Sequence, residues 1–165
     1  MNQSIKTMKI LLYASVVFIF LASVSVALIP LADLDGDGFE RTAGYIIGLS
    51  FWICLTMGYL LLWRLNKKRR QSLTKYPRKR HKHQIGLFSL FNSSFGGISD
   101  IVCAGCLVTL IALLITGSEN EWLTVTATAS LVFSIHMHSI FNGENYLFLQ
   151  YATKTREEKQ DEKTG

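Results

Sequence analysis

Four stretches of the chain carry no Asp, Glu, Lys or Arg: Ile10 to Ala32, Thr42 to Trp63, Ile101 to Ser118 and Trp122 to Gly143. Each is about 18 to 23 residues long, and as a helix rising about 1.5 Å per residue each covers the roughly 30 Å of a bilayer's hydrocarbon. The pattern predicts membrane spans at about 10–31, 44–63, 98–116 and 122–141. Backbone amides cannot cross lipid unless their hydrogen bonds close within the segment, so the spans are read as helices. No alternation of apolar and polar positions points to barrel strands. Trp63, Trp122 and Tyr146 stand at run ends, where amphipathic rings settle among headgroups. The fold class expected is all-α: a four-transmembrane-helix bundle filling residues 1–153, followed by a charged tail, 154–165.

The first run has a rival reading as a signal peptide, with Lys6 and Lys9 before it and Ser25-Val26-Ala27 as a loose cleavage site. An apolar core of about 7 to 15 residues is usual there, and this run is longer, which favours a retained helix.

Charge gives the expected orientation. Between Arg64 and His83 lie Arg64, Lys67, Lys68, Arg69, Arg70, Lys75, Arg78, Lys79, Arg80 and Lys82, with no acid among them. The other connections are acidic: Asp33, Asp35, Asp37 and Glu40 against Arg41 in one, Glu119 and Glu121 in the other. The positive-inside rule then places the basic loop 64–83 in the cytoplasm, together with both termini. A multi-pass protein of the plasma (cytoplasmic) membrane, of bacterial type, is the localisation expected. The five residues Gly117 to Glu121 force the last two spans into an antiparallel hairpin.

Tyr76-Pro77 interrupts any helix in the basic loop. Beyond it, Phe88, Phe91 and Phe95 recur at helical spacing, so 85–97 reads either as a segment lying in the interface or as an early start of the third span. Asn92-Ser93-Ser94 and Gly96-Gly97 resemble a break. Asn142-Gly143 resembles a helix stop, after which Tyr146, Leu147, Phe148, Leu149 and Tyr151 are expected along the interface. The last residues, of mixed sign and without apolar anchors, are expected to be frayed or disordered.

Overall composition adds little beyond this: 165 residues, 49% apolar, 18% charged, net charge +5. It excludes a soluble enzyme, and three cysteines inside apolar runs exclude a disulfide scaffold. The positive balance could serve nucleic acid, but no recognition module accompanies it. Anionic lipid headgroups are the expected partner of Lys67, Lys68, Arg69, Arg70, Arg78, Lys79, Arg80 and Lys82, at about 1 kcal/mol for each cation held near the leaflet.

Four groups are candidates for chemistry. Asp33, Asp35 and Asp37, with Gly38 next, have the spacing that opens an EF-hand-like loop, although its twelfth position is Gly44 rather than Glu. A weak external calcium site or a plain acidic turn are the two readings. Thr126, Ser130, Ser134, His138 and Asn142 recur every four residues as a polar stripe that must face protein or water. It serves either as helix–helix glue or as part of a transport path. Asp100, the one acid in a span, falls at the depth of His138, so the two can pair. His136, about 200° round the helix from His138, faces elsewhere. Cys103-Ala104-Gly105-Cys106 is a C-x-x-C pattern in an apolar span, where small packing residues are the simpler reading and zinc needs further ligands. The small-xxx-small pairs Ser23/Ala27 and Gly44/Gly48 allow close helix approach.

No catalytic motif is present, and no cofactor is expected. The function expected is interaction: an accessory, regulatory or immunity-type component binding another membrane protein, itself or a membrane-active peptide. A small oligomeric transporter or channel built on the polar stripe is the alternative, and a membrane enzyme using Asp100 and His138 comes third.

Overall fold

The computed structural model describes residues 2–32, 38–73, 90–91, 93–117 and 119–164, with side chains for all of these but 2, 3, 73 and 155–164. The described residues form five helices and no strand: α1 (Asn2–Ala27), α2 (Phe39–Leu73), α3 (Ser94–Thr116), α4 (Glu121–Phe141) and α5 (Glu144–Thr164). The first four are long and apolar enough to cross a membrane.

Helix ends follow local chemistry. Pro30 has no N–H to continue α1, and the chain tightens into a 3-10 turn at Ile29–Leu31. Ser93 caps α3, its Oγ accepting from the Gly96 N–H at 2.9 Å. At the far end Gly117 takes the left-handed conformation (φ 61°), and its N–H reaches the Leu113 and Leu114 carbonyls. Asn120 caps α4 through the Leu123 N–H at 3.0 Å. Within the apolar helices, Ser15, Ser23 and Ser25 donate to the carbonyls of Leu12, Ile19 and Leu21, so their hydroxyls need no outside partner.

The spanning helices lie in the order α2–α1–α4–α3. Among the described residues α3 packs against α4 alone, and α2 packs mainly against α1, so the four do not close around one core. Burial reflects that order: the most apolar stretch of α1 is 33% buried and that of α4 28%, against 6% in α2 and 11% in α3. The close approach of α1 to α2 is at Gly58, where an added Cβ would lie 2.9 Å from Ile19. Gly48 makes no such approach, since an added Cβ there would meet nothing within 4 Å, and an apolar groove of about 390 Å³ lined by Val26, Ile47 and Phe51 lies beside it.

Two expectations are corrected, and a fifth helix is added. The segment from Arg64 to Leu73 is not loop but the continuation of α2, whose 35 residues span about 52 Å, well beyond the hydrocarbon thickness. Lys, Arg, Gln and Leu in this stretch are good helix formers, and no breaker precedes Pro77. Gly96 and Gly97 do not break α3 but sit in its first turn, which begins at Ser94, four residues before the expected span. Residues 144–153 form the first turns of α5, which continues helical to Thr164 through the charged tail. Phe148, Leu149 and Ala152 are buried against Ile5, Met8 and Leu12 of α1, Leu65 of α2, and Met137 and Ile140 of α4. The interfacial reading of 85–89 lies outside the described residues.

The core is therefore concentrated at the end where α1 starts and α4 stops. Phe148, 2% exposed, is the largest of its fully buried side chains. Phe148→Ala is expected to lower stability by about 3 kcal/mol, the usual loss for a buried phenylalanine, read as a reduced thermal midpoint in detergent. An unchanged midpoint would show that α5 is not docked.

Candidate functional site

At that same end α3 and α4 are joined by a polar cluster. Asp100 Oδ1 lies 2.5 Å from His138 Nδ1, and Asn142 Nδ2 lies 3.4 and 3.5 Å from the two carboxylate oxygens. The Phe91 N–H donates to Asp100 Oδ2 at 2.9 Å. A carboxylate only accepts, so Nδ1 of His138 carries the proton it shares with Asp100. The 3.0 Å approach of Asn142 Nδ2 to that nitrogen is then a contact between two donors turned to one acceptor. Both members of the pair are shielded, with the Asp100 side chain 5% exposed and that of His138 14%.

The backbone around Asp100 is shaped to this purpose. Phe91 adopts φ 57°, which turns its N–H back toward α3. Ser93 Oγ donates to the Phe141 carbonyl at 3.1 Å while accepting from Gly96, so one hydroxyl ties the start of α3 to the end of α4. Gly96 is bare because the Asn142 side chain occupies the space of a Cβ, and Gly97 because the Phe91 ring would stand 3.0 Å from one. Phe95, Phe141 and Tyr146 stack beside it, with centroids 5.4 and 5.0 Å apart.

Of the polar stripe, only His138 and Asn142 belong to the cluster. Ser134 is buried but donates to the Leu131 carbonyl of its own helix at 3.0 Å. Thr126 is exposed and Ser130 half-buried, away from Asp100. His136 points the other way: its Nδ1 meets the Val132 carbonyl at 2.7 Å and its Nε2 the Tyr59 hydroxyl of α2 at 2.8 Å. A carbonyl cannot donate, so Nδ1 holds the proton and Nε2 accepts from tyrosine. His136 thus links α4 to α2, and His138 links it to α3.

Among the basic residues Arg69 is engaged inside the protein, bonded to Glu144 of α5 and, at 2.9 Å, to Asn66 Oδ1. The Lys67 ammonium lies 5.7 Å from the Trp63 ring centroid, while Lys68 is half-buried and Arg70 exposed. Arg78, Lys79, Arg80 and Lys82 lie outside the described residues, as do Asp33, Asp35 and Asp37. Cys103 and Cys106 are free, half-buried thiols. No group of three or more metal-ligating side chains comes together among the described residues.

Chemically the cluster orients one imidazole. Asp100 fixes Nδ1, and among the described residues no side chain holds Nε2. The elements it welds, the start of α3 and the end of α4, are joined there by seven residues: Phe91, Ser93, Gly96, Asp100, Phe141, His138 and Asn142. Ser93 and Ser94 before an apolar run were a legible cap signal. Phe91, whose part is played by its backbone, and the Tyr59 and Glu144 bridges gave no local sign. Comparison with protein-family models, curated proteins and solved structures returned no match, so the reading of this site rests on its own geometry.

Proposed function

We propose that this chain is a four-span protein of the plasma membrane, with its basic end and both termini in the cytoplasm, that acts by binding another membrane protein or a second copy of itself. The supporting observation is the isolation of α3. Among the described helices it is held by α4 alone, and Ile101, Val108, Leu114 and Ile115 stand 65, 66, 82 and 79% exposed along it. Gly105, whose added Cβ would meet nothing within 4 Å, gives that face a place for close approach by a partner backbone. Transport is disfavoured because the buried polar groups of the α4 stripe are already used. Ser134 bonds its own helix, and His138 and Asn142 are bound to Asp100 at one end.

The experiment compares the wild-type chain with Gly105→Leu, purified in mild detergent and reconstituted in vesicles. A defined membrane protein, or a second copy, is expected to co-purify with the wild type and to fall about tenfold with Gly105→Leu, equivalent to about 1.4 kcal/mol. The substitution meets empty space and leaves the fold intact. Ion or solute flux that collapses in His138→Ala or Asp100→Asn vesicles would overturn the interaction reading in favour of transport. Orientation is tested separately, since Lys75→Cys is expected to resist labelling from outside intact cells and Asp33→Cys to react.

A further inference from the structure

α1 and α5 leave between them a groove of about 610 Å³, with a lysine from each helix on its walls. Lys9 comes from α1, immediately before the uncharged run that starts at Ile10, and Lys154 from α5. Leu12 and Leu149 of the lining are buried, 1 and 3% exposed, and Tyr13, Tyr146, Gln150 and Thr153 complete it. Among the residues whose side chains are described, neither lysine has an anionic partner, in contrast to Arg69 with its Glu144. Thr153 Oγ1 already donates to the Leu149 carbonyl at 2.8 Å, and the two ammonium groups are the charged donors of the lining, beside the Gln150 amide and the tyrosine hydroxyls.

We propose that this groove is a discrete binding site for the headgroup of an anionic phospholipid, whose phosphate is held between Lys9 and Lys154. Depth is the first argument. A cation one residue outside a spanning run stands at headgroup level, where the phosphates are. The second is the surface that leaves the groove. Tyr13, Val17 and Phe20 follow one another at helical spacing on α1, 55, 53 and 51% exposed. They make an apolar track running from the groove into the spanning part of the helix, along which an acyl chain can lie. A free phosphate would use the lysines but not the track. The site differs from diffuse attraction by the basic stretch of α2, because it needs both helices at once. It rests on the bilayer reading but on neither the orientation nor a protein partner.

The full-length chain, purified in detergent, is mixed with phosphatidylglycerol or phosphatidylcholine and examined by native mass spectrometry. Retention of phosphatidylglycerol over phosphatidylcholine is expected. It should drop about tenfold in Lys9→Gln/Lys154→Gln, recover in Lys9→Arg/Lys154→Arg, and persist in the control Lys67→Gln/Lys68→Gln. Circular dichroism and elution volume confirm that the variants fold. Equal retention by the Gln pair and the wild type would overturn the proposal. So would displacement of the lipid by millimolar inorganic phosphate, which would mark a site for soluble anions. Loss of a protein partner would leave this measurement unaffected.

Discussion

Asp100→Ala is expected to lower the stability of the chain by about 3 kcal/mol. The carboxylate accepts from the Phe91 N–H and from His138, and Asn142 turns its amide toward it. Its removal orphans donors that sit where water reaches poorly. An unsatisfied buried donor costs about 1 to 3 kcal/mol, far above the roughly 0.6 kcal/mol average of one interhelical hydrogen bond in a membrane protein. Asp100→Asn should fall between, because an amide oxygen replaces one acceptor while its NH2 faces donors. Replacing both partners, Asp100→Leu/His138→Leu, should cost less than Asp100→Ala alone, since no polar atom of the pair is then left behind. Unfolding monitored by tryptophan fluorescence in mixed micelles reads all three. A loss under about 0.5 kcal/mol for the alanine variant would show that the cluster carries no structural weight.

Gly96→Leu is expected to be as damaging by a different route. Its side chain must enter the space of Asn142, which is 3% exposed and held by Asp100. Either Asn142 leaves the cluster or the start of α3 moves off α4, and overpacking of this kind costs about 1 to 3 kcal/mol. Because α3 packs on no other helix among those described, nothing else holds it in place. The substitution should therefore also abolish the energetic coupling of Asp100 to His138 in a double-mutant cycle. Gly105→Leu, nine residues on in the same helix but facing open space, is the matched control and should be neutral for stability. Equal effects at the two glycines would contradict the packing described.

The four helices long and apolar enough to span a membrane were legible because crossing lipid demands a length and an absence of charge, both visible without tertiary information. The pairing of Asp100 with His138 followed from the same arithmetic, since a tight hairpin at Gly117 to Glu121 fixes which residues share a depth. What escaped depends on contacts distant in sequence. Leu65 and Arg69 look like part of a basic loop until α5 supplies a buried face and Glu144 as partners. Tyr146, Phe148 and Leu149 have the composition of an interfacial segment, and only the nearness of Met8 and Leu12 makes them core. The order α2–α1–α4–α3 has no local signature, because helix faces of uniform apolarity in a bilayer do not declare their neighbours. Gly96 and Gly97 misled for a related reason: a glycine needed for another side chain's room is written in the same letter as one that ends a helix.

The placement of α5 has a consequence for the order of events during synthesis. It closes over the ends of α1, α2 and α4, yet emerges from the ribosome after all of them. At about 5 to 20 residues per second, Met8, Leu12 and Leu65 wait several seconds without their final cover. During that interval the nascent protein offers an oily cleft to whatever is nearby, which makes this stage of its biogenesis the one most open to chaperone capture or proteolysis.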